Sequence, residues 1–349
     1  EIGCGLLLAH AAAGRQDEVA ACGGMAAVAA AMVAHPAAVA VQVAAVRALE
    51  RICNGHEQNV LALLGTPSFP AVLAAMRAFP EDLALQEAGC KTIRNASACS
   101  AQCQERVAKL GGVQAALHAI SANPAAANVL ESGLRAVREL AVRCAASQEE
   151  IVSKGGVQVV LRAMESNAAT PTSQVVGCGV LRNLTSASAE NQEDVFSRGG
   201  LEVIMAAMEG HRDSPDVQQA ACWACFCLCV NNAEIQKVSA SHGIVAAALE
   251  ALSRHRQDAR VQEAGSWLIK ALAKHIVSNS TTQAMGSTQA MLKAIDKHSS
   301  VAAVQTAASG ALQALAAHDR SGWVKTACLG RCGRFGRATT KTALAVIRE

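Results

Sequence analysis

Four cysteines within eight residues, Cys222, Cys225, Cys227 and Cys229 of the string CWACFCLC, are the densest set of metal-capable side chains in the sequence. Zinc would take four such thiolates in a tetrahedron. On a helix, however, Cys225 and Cys227 point about 200° apart, so the four cannot converge on one ion. The repeat register described below puts Cys222, Cys225 and Cys229 in columns of small or apolar residues, which predicts core packing, a role free Cys fills well. Cys328 and Cys332 form a lone C-x3-C with no second pair. His35, His211 and His255 share another column at the end of a predicted helix, where a cation or donor stabilises the last carbonyls, so a local structural role is expected. The sequence has no nucleophile elbow, no H-E-x-x-H, no kinase signature and no strand-turn-helix glycine motif. The segment is read as non-enzymatic, with no metal, cofactor or small-molecule substrate.

The elements that carry these residues repeat. Gly pairs stand at Gly23 and Gly24, Gly111 and Gly112, Gly155 and Gly156, and Gly199 and Gly200, at spacings of 88, 44 and 44. A large apolar column (Met32, Met76, Ile120, Met164, Met208, Leu252) keeps the same step. So do two Gln columns, one of Gln42, Gln86, Gln174, Gln218 and Gln262, the other of Gln16, Gln104, Gln148, Gln192 and Gln236. Compositional bias toward Ala would give similarity at many steps rather than one.

Each unit reads as three helices. The first is short, with a polar start suited to capping and a Gly pair that ends it. The second, as in LEVIMAAME (201–209), leads to a loop carrying Pro36, Pro80, Pro124, Pro171 or Pro215. The third is the longest, and its apolar positions Gly177, Val180, Leu181 and Leu184 follow the i, i+3, i+4, i+7 spacing of a buried stripe. One stripe column is small throughout (Ala45, Gly89, Gly133, Gly177, Ala221, Gly265), which lets neighbouring helices approach closely. A unit this small cannot bury its own stripe, so burial must come from stacking. The predicted blocks are a partial repeat at 1–22, repeats at 23–66, 67–110, 111–154, 155–198, 199–241, 242–284 and 285–320, and a tail at 321–349. Pro67 and Ser68 replace one Gly pair, and His242 and Gly243 another.

Composition narrows the class. The 349 residues are 51% hydrophobic and 2% aromatic, which excludes a disordered chain and supplies a large core. Fourteen Cys in so long and apolar a chain suit packing in a reducing compartment, hence a cytoplasmic location with the nucleus as the alternative. No apolar run reaches the length of a membrane span without a Gly pair or charge. The opening EIGCGLLLAHAAAG aligns with the middle of a repeat and lacks an initiator Met, so the chain is expected to be a fragment. The tail is basic, a net +5, leaving about −2 for the repeats out of an overall +3. Its GRCGRFGR string (330–337) is read as a flexible solubilising or linking segment, with nucleic-acid binding the weaker reading.

The Gly pair, the large apolar column, the VQ or LQ opening of the third helix and the LRNL core at Leu181, Arg182, Asn183 and Leu184 resemble armadillo repeats. LAAM (73–76) and LQEAGC (85–90) are most similar to the armadillo region of leucine-rich-repeat kinases and of related repeat proteins of single-celled eukaryotes. The resemblance spans about residues 1 to 320. It implies an all-α, armadillo-type right-handed solenoid of about seven to eight 44-residue three-helix repeats, with the third helices lining a concave groove.

On that groove face the sequence places three columns. The first is Arg47, Lys91, Arg135, Gly179, Trp223 and Trp267; the second Glu50, Arg94, Arg138, Arg182, Phe226 and Lys270; the third Arg51, Asn95, Glu139, Asn183, Cys227 and Ala271. Eight bases face two acids. The partner-binding candidates are Arg47, Lys91, Arg94, Asn95, Arg135, Arg138, Arg182, Asn183, Trp223, Phe226, Trp267 and Lys270. Arg pairs with carboxylate or phosphate and aromatics anchor apolar side chains, so the expected partner is a protein or peptide segment, acidic with an apolar anchor. The alternative is a solvated charged face with its aromatics covered by the next repeat. Trp223 and Trp267 stand where nuclear import receptors keep groove tryptophans, but Cys227 and Ala271 replace the Asn of those receptors, and a basic groove repels a basic signal. A regulatory fragment of a larger multidomain enzyme such as a kinase is the rival functional reading.

Overall fold

The computed structural model describes residues 1–186, 188–319, 321–322 and 324–326, and among them every regular element is a helix. The basic tail with its Cys328, Cys332 and GRCGRFGR string lies almost wholly outside the described residues. The chain divides into two compact units, Glu1–Asn167 and Ala168–Glu349.

The first unit opens with α1 (Ile2–Ala12) and continues with three triplets of first, second and third helix. They are α2 (Gln16–Ala21), α3 (Gly24–Ala34) and α4 (Val39–Cys53); α5 (Glu57–Gly65), α6 (Ser68–Ala78) and α7 (Leu83–Ala98); and α8 (Ala101–Lys109), α9 (Gly112–Ala122) and α10 (Ala127–Leu140). A first and a second helix, α11 (Ala145–Ser153) and α12 (Gly156–Ser166), close it. The second unit opens with a third helix, α13 (Pro171–Thr185). It continues with α14 (Ala189–Ser197), α15 (Gly200–Gly210) and α16 (Pro215–Cys229), then α17 (Ala233–Ser241), α18 (Ile244–Arg254) and α19 (Ala259–Asn279), and ends on α20 (Thr281–Lys297) and α21 (Ala302–His318). Third helices pack in series, α1, α4, α7 and α10 in one unit and α13, α16, α19 and α21 in the other.

Local chemistry accounts for the joints. Ser100, Ser188 and Asn232 cap the first helices α8, α14 and α17 by accepting a bond from the backbone N–H three residues on. The two glycines of a pair do different work. Gly199 takes φ 81°, the left-handed region, whereas a Cβ on Gly200 would sit 2.7 Å from the Val195 carbonyl oxygen, so the second helix starts against the backbone of the first. At the substituted pair Pro67 does the breaking, and α5 and α6 still meet at 73°.

The two apolar columns turn out to touch each other. A Cβ on Gly89 would run into Met76, one on Gly133 would lie 2.5 Å from Ile120 and one on Gly265 2.8 Å from Leu252, so in these three repeats the large residue of the second helix seats on the glycine of its own third helix. The stripe beside it is buried throughout, Leu181 and Leu184 among it, each such side chain contributing about 1.5–3 kcal/mol.

Gln side chains tie off the helix ends. Gln42, Gln86, Gln218 and Gln262 each donate from Nε2 to two carbonyls at the end of the preceding second helix, for example Met208 O at 2.8 Å and His211 O at 3.0 Å from Gln218. The first carbonyl of each pair has no backbone donor of its own, whereas the second also accepts a turn bond, as His211 O does from Ser214 N–H at 3.0 Å. Gln104 and Gln192 do the same for third helices, Gln192 reaching Cys227 O at 2.8 Å.

The last block departs from the three-helix expectation. Gly286 and Ser287 stand forty-three and forty-four residues beyond Gly243, but Gly286 does not take positive φ and the chain runs straight through both as the 17-residue α20. A first and a second helix are thus fused. The polar ties survive one residue early, Gln305 donating to Ile295 O at 2.7 Å and to His298 O at 2.9 Å.

Candidate functional site

The twelve residues predicted for the partner face divide between the two units. In the first, third helices α4, α7 and α10 carry Arg47, Lys91, Arg94, Asn95, Arg135 and Arg138. Arg47 is exposed and Lys91, Arg94, Arg135 and Arg138 are half-buried. A depression of about 460 Å³ lies here, lined by Arg47, Glu50, Arg51, Glu87 and Lys91 over Leu8 and Ala88.

The bases are less naked than the columns imply. Glu87 holds Lys91 at 2.5 Å and Glu131 holds Arg135 at 2.8 Å, each carboxylate coming from one turn earlier on the same helix, and Glu139 accepts from Arg138 at 2.8 Å. The first-unit face thus presents six cations (Arg47, Arg51, Lys91, Arg94, Arg135, Arg138) against four carboxylates (Glu50, Glu87, Glu131, Glu139). Asn95 is only 7% exposed: its Nδ2 donates to Glu50 on the neighbouring α4 at 3.4 Å and its Oδ1 accepts from Arg94 Nη2 at 2.9 Å. Asn95 therefore turns toward the preceding third helix, and Cys227 of the same column is 8% exposed, whereas Arg51 stays exposed. Arg94 bonds an amide rather than a carboxylate and keeps its charge uncompensated in that contact.

In the second unit the structure joins Arg182, Trp223, Phe226, Trp267 and Lys270 into one array across α13, α16 and α19. The Arg182 guanidinium lies over Trp223 at 5.6 Å. Trp223 meets Phe226 edge-on at 5.6 Å, Phe226 tilts onto Trp267 at 5.8 Å, and Lys270 Nζ stands 4.6 Å above Trp267. All three aromatics are half-buried, Arg182 and Lys270 are exposed, and Asn183 sits half-buried beside Arg182. The aromatics are thus neither tucked away nor wholly free: cations flank them at both ends. The columns placed these residues on one face; the cation–aromatic contacts, Arg182 on Trp223 between repeats and Lys270 on Trp267 within α19, were not read from the sequence.

The remaining chemistry-bearing residues pack. Cys222, Cys225 and Cys229 are fully buried, and burial pushes the Cys222 thiol up to about 12 and that of Cys229 to about 11. Burial also raises Cys227, partly offset by the nearby Arg182 guanidinium. No group of three or more His, Cys, Asp or Glu among the described residues is placed to hold a metal ion. The His column is structural but not local: Nε2 of His211 donates to Ala168 O and Nε2 of His255 to Arg212 O, each at 2.7 Å, which ties the end of a second helix to the loop one repeat earlier. Asn123, at the same repeat position and not singled out from the sequence, makes the equivalent bond to Pro80 O at 2.9 Å. No single helix among the described residues is long and apolar enough to cross a membrane.

The family model described as LRRK2 ARM repeat matches residues 7–327. This chain belongs to the LRRK2 ARM repeat family. Its fold is that of an armadillo solenoid, and solved structures share it. An engineered protein is similar with a TM-score of 0.81 at 19% identity, over 99% of this chain and 84% of that one. A structure from work on the phosphorylation switch that controls the interaction between cadherin and beta-catenin is similar with a TM-score of 0.74 at 16% identity, over 99% of this chain and 72% of that one. A designed armadillo repeat protein in complex with the peptide (KR)4 has a TM-score of 0.57 at 16% identity, over 65% and 91%. No curated protein sequence matches these LRRK2-type ARM repeats.

Proposed function

We propose that this chain is a non-catalytic scaffold of a reducing compartment, the cytoplasm first, that holds an extended segment of another protein against its third helices. The observation that carries this reading is the Arg182–Trp223–Phe226–Trp267–Lys270 array. The sequence has only three Trp and five Phe, and three of these eight rings gather on one part-open face rather than in the core. Half-exposed aromatics flanked by guanidinium and ammonium suit a segment with an apolar anchor and carboxylates or phosphates on either side. In the first unit Arg47 and Arg94 offer further acidic contacts. Armadillo relatives that hold a peptide or take part in the cadherin interaction support a protein-binding role.

The test uses two synthetic peptides, an acidic twelve-residue peptide with a central Leu pair and a basic control of alternating Lys and Arg. The acidic peptide is expected to bind. Trp223→Ala or Trp267→Ala should each cost about 2 kcal/mol, roughly thirty-fold in Kd, and Arg94, Arg138 and Arg182 all changed to Glu should abolish binding. Preference for the basic peptide, or binding indifferent to these changes, would refute the face. A second reading, a regulatory arm of a larger multidomain enzyme such as a kinase, draws support from the family match; full-length transcript sequencing tests it by showing whether a catalytic domain shares the reading frame.

A further inference from the structure

Successive second helices leave grooves between them, to which the helices of the aromatic array add only Gln218 and Gln262 on the described linings. The groove between α15 and α18, about 470 Å³, is closed electrostatically by its own rim. Arg212 bonds Glu209 at 3.0 Å and approaches Glu250 at 3.6 Å, while Arg254 bonds Asp213 at 2.6 Å and approaches Glu250 at 3.5 Å. The next groove, between α18 and the fused α20, is different. It encloses about 560 Å³ over a floor of Leu249, Leu252 and Ala290, and it stays open at Gly286, where a Cβ would come within 3.3 Å of Leu249. Its rim carries Arg256, Lys293 and Lys297. Among the described residues no carboxylate lies within 4.0 Å of any of these three cations, and Asp296 is the single acid on the described lining.

The lining runs along α20 from Gly286 to Lys297, about 16 Å of helix, and α18 offers a comparable length. A small molecule fills one point of such a trough, whereas three turns of helix fill its length. An apolar floor under an uncompensated cationic rim is complementary to one kind of surface. We infer that the α18–α20 groove is a second docking site, taking an amphipathic acidic helix of a partner protein whose apolar face lies between Leu249 and Ala290 and whose carboxylates meet Arg256, Lys293 and Lys297. The straight run through Ser287 and Thr288 creates the site, because it brings Gly286 and Gln289 onto the wall of the groove as one continuous helix.

The experiment pans a random library of 16-residue peptides on the full chain, with Lys293→Glu/Lys297→Glu as counter-selection. Recovered peptides are expected to set Glu or Asp beside apolar residues spaced i, i+3, i+4, i+7. A fluorescein-labelled recovered peptide should lose about tenfold in affinity on the double variant. It should lose as much on Ala290→Glu, which puts a charge on the floor, and nothing on Trp223→Ala. All three altered groove positions are exposed or half-exposed, and circular dichroism melts that match the unaltered chain separate lost binding from lost folding. Peptides without the acidic and apolar pattern, affinity unchanged on both groove variants, or affinity that follows Trp223 would overturn the inference. So would self-association abolished by Lys293→Glu/Lys297→Glu, which assigns the groove to a second copy, or dodecanoate displacing the peptide at equal concentration, which assigns it to a small amphiphile.

Discussion

Gly133→Ala adds one methyl group where α10 meets α9, and two opposing effects set its outcome. Replacing Gly by Ala inside a helix favours folding by about 1 kcal/mol. The new Cβ, however, would lie 2.5 Å from Ile120 Cγ1 and 3.1 Å from Cδ1, with the Ala116 carbonyl oxygen 3.6 Å away, so Ile120 must leave its position. Ile120 is 2% exposed and β-branched, and has little room to turn. Overpacking of this kind costs about 1–3 kcal/mol, so a net loss of up to about 2 kcal/mol is expected. Ile120→Ala alone should cost about 2–5 kcal/mol by opening a void above Gly133. In the double variant the methyl added at position 133 occupies part of that void and the helix preference is recovered, so Gly133→Ala becomes stabilising by about 1 kcal/mol in that background. Urea midpoints of the four proteins, compared at matched slopes, give the coupling, expected at about 1–3 kcal/mol. A Gly133→Ala chain more stable by the full helix preference, with effects that simply add to those of Ile120→Ala, would refute the seating of large on small.

Gln218→Leu keeps the volume but leaves Met208 O without its donor, while His211 O retains the Ser214 N–H, and should lower stability by about 1–3 kcal/mol in the same assay. Burial raises the thiols of Cys53, Cys90, Cys178 and Cys222 from 9.0 to about 12, so above pH 9 the unfolded chain holds fewer protons than the folded one. Stability should therefore be level below pH 9 and fall as pH rises toward 12, by about 1.4 kcal/mol per pH unit for each such thiol; Cys90→Ala should reduce the alkaline slope by one such increment in urea titrations. Lys270→Met removes the ammonium from Trp267 and should cost about 0.5–1 kcal/mol, whereas Lys297→Met, with no aromatic beneath it, should cost nothing measurable by thermal melts.

The register was legible because several kinds of residue obey it for separate reasons: glycine for backbone approach, glutamine for helix-end carbonyls, and large and small apolar residues for each other. Its failure at Ser287 and Thr288 was visible as a missing pair, but that the helix would run through rather than bend elsewhere depended on packing against α18 and α19. Half of the proposed face was misjudged on charge. Glu87 and Glu131 lie one turn before Lys91 and Arg135, outside the groove columns, and only side-chain reach brings them in. Asn95 was misplaced because a helix face has no sharp edge: one residue beyond Arg94 the side chain already touches the neighbouring third helix. The histidines were assigned to their own helix ends because a bond to a carbonyl 43 residues earlier leaves no local trace.

The seating of a second-helix residue on a glycine thirteen positions later, as Ile120 on Gly133 and Leu252 on Gly265, keeps that joint inside one module. Insertions or deletions of 44 residues therefore preserve every such joint, wherever along the array they begin. A change of length between the two partners of a joint separates them, whereas one outside it is absorbed, as the forty-three-residue step from Gln262 to Gln305 shows. Whole modules can thus be gained or lost with no compensating change inside any joint.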